Sequence, residues 1–252
     1  MKTERLDKVL SHHGFGTRKD VKKLLHSGVV KIDDEICYNG NIHIDLDKSK
    51  IEVDNQILCI RKDVYLMMNK PSGVVCSNRD GLHKTVFDLL NDYYKQDFLG
   101  GSLHLVGRLD IDTEGLLLFT TDGNLTHRLT SPKTHVTKTY HIELQDFVPE
   151  ELRPQITRRF ADGVHIAPDG DDGEYDCKPA NLIWIDGQTC QLVITEGRYH
   201  QVKRMIAAAG NKVKKLKRIA IGNLELDKTL LLGDYRDLTD KELSFYLLAK
   251  SI

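Results

Sequence analysis

No stretch of the 252-residue sequence approaches the run of about 18 apolar residues that a membrane span requires. The N-terminal MKTERLDKVL has no apolar signal core either, so a cytoplasmic protein without membrane attachment is expected. Cysteine is sparse. The five cysteines (Cys37, Cys59, Cys76, Cys177 and Cys190) are odd in number, far apart and never in a C-x-x-C pair. That spacing excludes a zinc knuckle and a disulfide framework, leaving reduced, mostly buried thiols as the expectation. Internal repeats and low-complexity tracts are absent. The sequence does have 40% hydrophobic and 29% charged residues, the mixture of an ordinary folded protein. Its length suits one to two domains, and two is the starting expectation.

Net charge is −1, which by itself says nothing about a partner. Its distribution is more informative. Residues 1 to 31 carry eight Lys/Arg against three Asp/Glu, and residues 197 to 218 carry eight Lys/Arg with no acid. Residues 146 to 176 reverse this, with nine acids and three bases. Two basic patches balanced by an acidic segment suit a polyanion that touches part of the surface, although solvated helix faces give the same pattern.

ERLDKVLSHHG places Leu6, Val9 and Leu10 on one helical stripe that ends at Gly14 and Gly16. Thr17 can cap a second helix, with Asp20 at the capping-box position and Val21, Leu24 and Leu25 on the apolar face up to Gly28. The other face shows Arg18, Lys19, Lys22 and Lys23. Short strand-like pieces follow through IEVDNQILCI, so residues 1–60 read as two helices and a small sheet, with RKD at 61–63 as a linker.

From residue 64 to 252 the pattern changes. YLMMNKPSGVV is an apolar strand broken at Pro71 and Gly73, TVFDLL is helix or turn, and GLLLF is a buried strand followed by a turn at Asp122-Gly123. LIWI-DGQT-CQLVIT has the form of a hairpin, and HQVKRMIAAAG that of a helix closed by Gly210. Strand runs with few helices and no βαβ alternation predict an α+β fold with a mixed, mostly antiparallel sheet.

The stretch GRLDIDTEG concentrates Asp110, Asp112 and Glu114. As a calcium loop it fails, because the twelfth position, which needs a bidentate Glu, is Thr121. As a phosphatase-type D-x-D-x-T it also fails, because Thr113 comes one residue early. No second acidic cluster stands at metal-site spacing, so no metal is expected. His127, His135 and His141, spaced by eight and six residues, match no common ligand pattern and are read as structural or as facing the polyanion. The acidic APDGDDGEYD segment is read as a solvated surface turn. What remains is one working carboxylate, and an Asp in a loop is otherwise a turn former or helix cap.

Two resemblances add to this reading. R-L-D-x-x-L, a glycine turn and T-R-x-x-V-x-x-L-L-x-x-G, matched by Arg5 to Gly28, resemble the S4 RNA-binding domain. G-R-L-D-x-x-T-x-G-L-L, matched by Gly107 to Leu117, resembles the central motif of the pseudouridine synthases. NKPSGVV at 69 to 75, KTY at 138 to 140, EGRYHQVKRM at 196 to 205 and LKRIAIG at 216 to 222 stand in that family's order and spacing. The resemblance covers nearly the whole chain and is to the branch that contains ribosomal small-subunit pseudouridine synthase A. It implies an S4 module over residues 1–60 and a catalytic domain over 64–252.

The resemblance further implies that one uridine of ribosomal RNA is isomerised without a cofactor, in small-subunit 16S RNA at a uridine-516-type site. Asp110 is then the catalytic carboxylate, acting as nucleophile or base, in a closed and rather apolar site where it needs a cationic partner. Lys203 holds that place, with Arg204 as the alternative; other branches carry arginine at the position of Lys203. Tyr140 stacks on the extruded base, Leu216 forms an apolar wall, and Arg108 holds phosphate or helps extrude the nucleotide. Arg198 and Arg204 are expected on the RNA, as are Arg5, Arg18, Lys19, Lys22 and Lys23 of the S4 module. The partner is ribosomal RNA, naked or within a small-subunit assembly intermediate, bound by a monomer. Three alternatives stay open: a large-subunit 23S enzyme, a non-catalytic ribosome-assembly protein, and a nucleoside hydrolase or glycosylase releasing free uracil.

Overall fold

The computed structural model describes residues 3–46, 48–58, 60, 63–95, 102–169 and 173–247. Contacts divide the chain into two compact units. One reaches to Val64 and includes Ser102 and Leu103; the other holds Tyr65–Lys95 and the residues from His104 onwards. Of the expected linker only Asp63 is among the described residues, and Cys59 lies outside them.

The first unit runs β1 (Thr3–Arg5), α1 (Leu6–His12), α2 (Arg18–His26), β2 (Val30–Ile32), β3 (Glu35–Ile36), β4 (His43–Asp45), β5 (Ile51–Val53) and β6 (Gln56–Ile57). β1 pairs with β4, and the others form a sheet ordered β3-β2-β5-β6. α2 starts where its capping box predicts: Thr17 accepts from the Asp20 amide, and Asp20 accepts from the Thr17 amide. The apolar stripes of both helices meet in one core, where Leu6, Val9 and Leu10 pack with Val21, Leu25, Val30, Ile44 and Ile51. Burying such side chains stabilises by about 1.5–3 kcal/mol each, which sets which helix face turns outward. Arg18, Lys19, Lys22 and Lys23 are left on that exposed face.

The second unit runs β7 (Tyr65–Lys70), β8 (His104–Val106), β9 (Glu114–Thr120), α3 (Gly123–Thr130), β10 (Lys138–Leu144), α4 (Arg153–Asp162), β11 (His165–Ile166) and β12 (Tyr175–Asp176). It continues with β13 (Asn181–Trp184), β14 (Thr189–Ile194), α5 (Gln201–Ala208), β15 (Val213–Ile221), β16 (Leu224–Glu225), β17 (Tyr235–Asp237) and α6 (Asp240–Leu247). Nine strands make one sheet along the path β13-β14-β10-β15-β9-β7-β17, with β16 on β15 and β8 on β9. All pairs in it are antiparallel except β9 with β15. TVFDLL forms a short 3-10 turn over Val86–Leu89.

β9 is apolar along its length because both faces are covered. Leu116 and Leu118 pack with Leu125 and Leu129 of α3, while Phe119 meets Phe87 edge-on at 5.3 Å between ring centroids. At the parallel seam Gly115 stands opposite Arg218, with φ of +102°. A Cβ there would lie 2.2 Å from the Arg218 carbonyl oxygen, so the two strands approach this closely only through glycine.

Two expectations change, and a third lies partly outside the described residues. Asp122-Gly123 is the start of α3, with the Asp122 carboxylate accepting from the Asn124 and Leu125 amides. Cys37 and Cys76 are only partly buried, whereas Cys177 and Cys190 are buried. Residues 170–172 of the acidic segment lie outside the described residues; its flanks Glu174 and Asp176 sit beside His165 on β11.

Candidate active site

The connection between β8 and β9, residues 107–113, carries Asp110. Its shape is fixed from below by Lys70, the last residue of β7. The Lys70 side chain is wholly buried, and its ammonium donates to the carbonyls of Pro71 (3.0 Å), Asp110 (3.1 Å), Ile111 (3.2 Å) and Thr113 (2.9 Å). Burial pushes its pKa below the usual lysine value, against the opposing pull of Cys76, Asp112, Asp110 and Glu114. Four carbonyl dipoles thus take the place of a carboxylate partner.

Across from this loop, α5 is entered through His200, whose φ of 47° places it in the left-handed region. A non-glycine residue there is uncommon, and in this chain it sharply turns EGRYHQ into the helix. The turn is braced by Glu196, which accepts from the Lys178 amide at 2.9 Å and from the Gln201 side chain at 2.6 Å. The first turn of α5 then presents Lys203, whose Nζ lies 2.9 Å from Asp110 Oδ2 and 2.5 Å from Asp112 Oδ1. His200 Nε2 is 3.9 Å from the same Asp110 oxygen.

For Lys203, burial alone would lower the pKa, but the bonds to Asp112 and Asp110 outweigh it and hold the ammonium above its usual value. Burial would raise the Asp112 carboxyl; the Lys203 bond and charge prevail and keep it below the usual carboxylate range. Lys203 is therefore a permanent cation shared by two acids.

The floor is one face of the central sheet. Tyr140 on β10 and Leu216 on β15 are both buried, and with Asp110, Arg108 and Lys203 they line a cavity of about 310 Å³. Its wall also holds Lys138, Lys178, Arg198 and Arg218. The site is rather apolar in its lining, as expected, but less closed, with the Asp110 side chain 28% exposed, and its wall carries six Lys/Arg. The two coexist because lysine and arginine reach the wall on apolar stems that end in a charged head.

Of the residues singled out in the sequence, Asp110, Tyr140, Lys203, Arg108, Arg198 and Leu216 come together around this cavity. Arg108 is exposed at its edge, and Arg198 lies over the Tyr175 ring at 4.2 Å. Arg204 does not join them. It is 8% exposed, donates to the carbonyls of Ala167 at 2.7 Å and Gly173 at 3.1 Å, and packs against Tyr175. Neighbouring helix residues point about 100° apart, so with Lys203 facing Asp110 its neighbour is turned into the protein.

Arg5 likewise spends its guanidinium within its own unit, on Asp7 and Asn41, both at 2.6 Å. Arg18, Lys19, Lys22 and Lys23 are exposed and make no ion pair among the described residues. Lys212, Lys214 and Lys215 border a second groove, which Asp112 also lines and which shares Lys203 and Leu216 with the cleft. Sequence reasoning missed Lys70, Lys138, Arg218 and the part of Asp112. The first three stand inside the motifs NKP, KTY and LKRIAIG, and Lys70 ends an otherwise apolar strand.

The family described as RNA pseudouridylate synthase matches residues 64–208. A Bacillus subtilis (strain 168) protein named uncharacterized RNA pseudouridine synthase YtzG is 42% identical over 95% of this chain and 96% of its own. Ribosomal small subunit pseudouridine synthase A of Haemophilus influenzae is 41% identical, over 95% of this chain and 97% of its own. The protein of the same name from Vibrio cholerae is 42% identical, over 95% and 98%. A solved structure described as a crystal structure of pseudouridylate synthase shares 40% identity, with a TM-score of 0.62 over 95% of this chain and 98% of that one.

Proposed function

The chain belongs to the RNA pseudouridylate synthase family, and we propose that it converts one uridine of small-subunit 16S ribosomal RNA, at a uridine-516-type site, to pseudouridine. It is an isomerase acting on RNA, and its relatives over almost the full length act, by name, on the small ribosomal subunit. The observation that carries the site assignment is the Asp110–Lys203 contact of 2.9 Å, in a cavity that Tyr140 also lines.

The net reaction breaks the N1–C1′ bond, forms a C5–C1′ bond, and moves one proton from C5 to N1. Uracil is both leaving group and returning nucleophile, so the chemistry requires no added group. Among the described residues the cavity is lined by two carboxylates, of which Glu196 braces the Lys178 amide; Asp110 serves as nucleophile or base. Lys203 orients it through the 2.9 Å contact. Tyr140 offers a flat apolar face to the flipped base, with Leu216 beside it. Arg108 and Arg198, exposed at the cleft, hold the flanking phosphates.

The first unit acts as an S4-like grip on the RNA through Arg18, Lys19, Lys22 and Lys23. That exposed cationic face supplies affinity rather than sequence choice. The site is tested with RNA carrying tritium at uracil C5. Release to water from 16S RNA or a small-subunit assembly intermediate, without free uracil, supports the assignment. Release from 23S RNA alone moves the target, free uracil identifies a hydrolase, and no release from any ribosomal RNA leaves a binding protein.

A further inference from the structure

Among the described residues, Lys138 and Arg218 in the cleft meet no acid. Lys138 and Tyr140 are two residues apart on β10 and share a face, and Arg218 stands directly opposite Tyr140 on β15. A register shift between Thr139 and Tyr140 leaves Ile219 without a partner and so turns both Arg218 and Ile221 to the cavity. The Arg218 side chain is 2% exposed; its Nε donates to the Leu116 carbonyl at 2.8 Å, and its Nη2 has no hydrogen-bond partner.

Among the described residues the Lys138 ammonium reaches the Val136 carbonyl alone, at 3.3 Å. Burial, and then the Arg218 charge, lower its pKa from the usual lysine value. Neither cation meets a carboxylate among the described residues. An orphaned guanidinium nitrogen in a buried wall is a donor held ready for something that enters the cavity.

What enters deepest is set by connectivity. A flipped nucleotide stays joined to the strand through phosphates on both sides, so its phosphates remain at the mouth and its base goes to the floor. Exposed Arg108 and Arg198 suit the former; buried Arg218 meets the latter. Resting on the isomerase reading above, we propose that Lys138 and Arg218 form an oxyanion subsite for the uracil carbonyl oxygens, stabilising the negative charge that develops there during base transfer.

When the N1–C1′ bond breaks, its electron pair stays with uracil and spreads from N1 onto O2 and O4. The same pair then forms the C5–C1′ bond, after which C5 gives up its proton and N1 gains one. If Asp110 instead adds to the ring first, the displaced π electrons also reach a carbonyl oxygen. The subsite therefore serves either route. Neutral uracil engages it weakly and the charged ring strongly, which is the differential binding that raises turnover.

The test is single-turnover tritium release from 16S RNA by Lys138→Met and Arg218→Met, with Lys138→Arg as the conservative variant. Lys138→Met carries the decision, because this side chain makes no ion pair among the described residues, and unchanged circular dichroism certifies its fold. The expected result is a rate at saturating RNA lowered about 100-fold or more, with the RNA dissociation constant within about twofold of wild type and partial recovery in Lys138→Arg. RNA carrying 5-fluorouridine, whose base is the more stable anion, is expected to be consumed with a loss at least about tenfold smaller.

An unchanged saturating rate, with weaker binding and a salt slope lowered by about one phosphate, overturns the subsite and makes the pair a phosphate contact. Equal losses for the two bases overturn it as well. Wild-type enzyme that releases no tritium from any ribosomal RNA defeats the isomerase reading itself, and this inference with it.

Discussion

Asp110 and Lys203 meet at 2.9 Å although 93 residues separate them, one on the β8–β9 connection and the other on the first turn of α5. Asp110→Asn keeps the shape of the loop and removes the charge. Its single-turnover rate is expected to fall at least about a thousandfold, with RNA affinity nearly unchanged. Residual tritium release within tenfold of wild type would remove Asp110 from the chemistry.

Lys203 is shared between Asp110 and Asp112. The Lys203 pKa is raised above its usual 10.5, so the stabilisation it gives is full below that value and is lost only as pH climbs through the higher folded value. The Asp112 pKa is lowered from 3.8, so its share is present above 3.8 and lost as pH falls through the depressed value. The contact between these two groups is therefore intact across the neutral range. Asp112→Asn should change the rate at pH 7 by less than about fivefold and move the alkaline limb of the pH profile downward. A thousandfold loss at neutral pH would instead place Asp112 in the chemistry.

Lys70→Met leaves four loop carbonyls without their donor and a hole where the ammonium stood. Hydrogen bonds to a charged group contribute about 1.5–3 kcal/mol each and add imperfectly, so a loss of about 3 kcal/mol or more in stability is expected. Thermal unfolding measures this. In the folded fraction the saturating rate should drop over tenfold while RNA affinity holds.

Gly115→Ala forces a methyl group to 2.2 Å from the Arg218 carbonyl oxygen at a φ of +102°. Strain of about 3 kcal/mol is expected, seen as a lower unfolding temperature and a soluble yield well below that of Gly123→Ala, whose Cβ meets open space.

In the first unit, Lys19→Ala with Lys22→Ala and Lys23→Ala should weaken RNA binding and lower the salt slope by about 2–3, with the saturating rate unaffected. Filter binding across a salt series gives both numbers. An unchanged slope would remove this helix from the interface.

Local signals in the sequence predicted local structure. The Thr17–Asp20 capping box, the unbroken apolar run of β9 and the Asp-Gly hairpin between β13 and β14 are each written within a dozen residues. The same Asp-Gly signal misled at Asp122, because a side chain able to close a turn is equally able to cap a helix.

The parts of the site that stayed hidden are long-range. Nothing around residue 70 tells which carbonyls its ammonium will meet at residues 110 to 113, and nothing around residue 218 places it against Leu116 and opposite Tyr140. Arg204 was legible and misread: helix geometry alone separates its direction from that of Lys203.

Lys70 has a consequence for motion as well as for stability. Because three of the four carbonyls that accept from its ammonium are those of Asp110, Ile111 and Thr113, swinging that loop away would strip a buried charge of most of its hydrogen bonds. The main chain at Asp110 is thereby pinned like a fixed tool in a vice. With Asp110 in its proposed role, any rearrangement that brings C1′ within its reach, or turns the detached ring so that C5 replaces N1, must be supplied by the RNA strand and the loose base themselves.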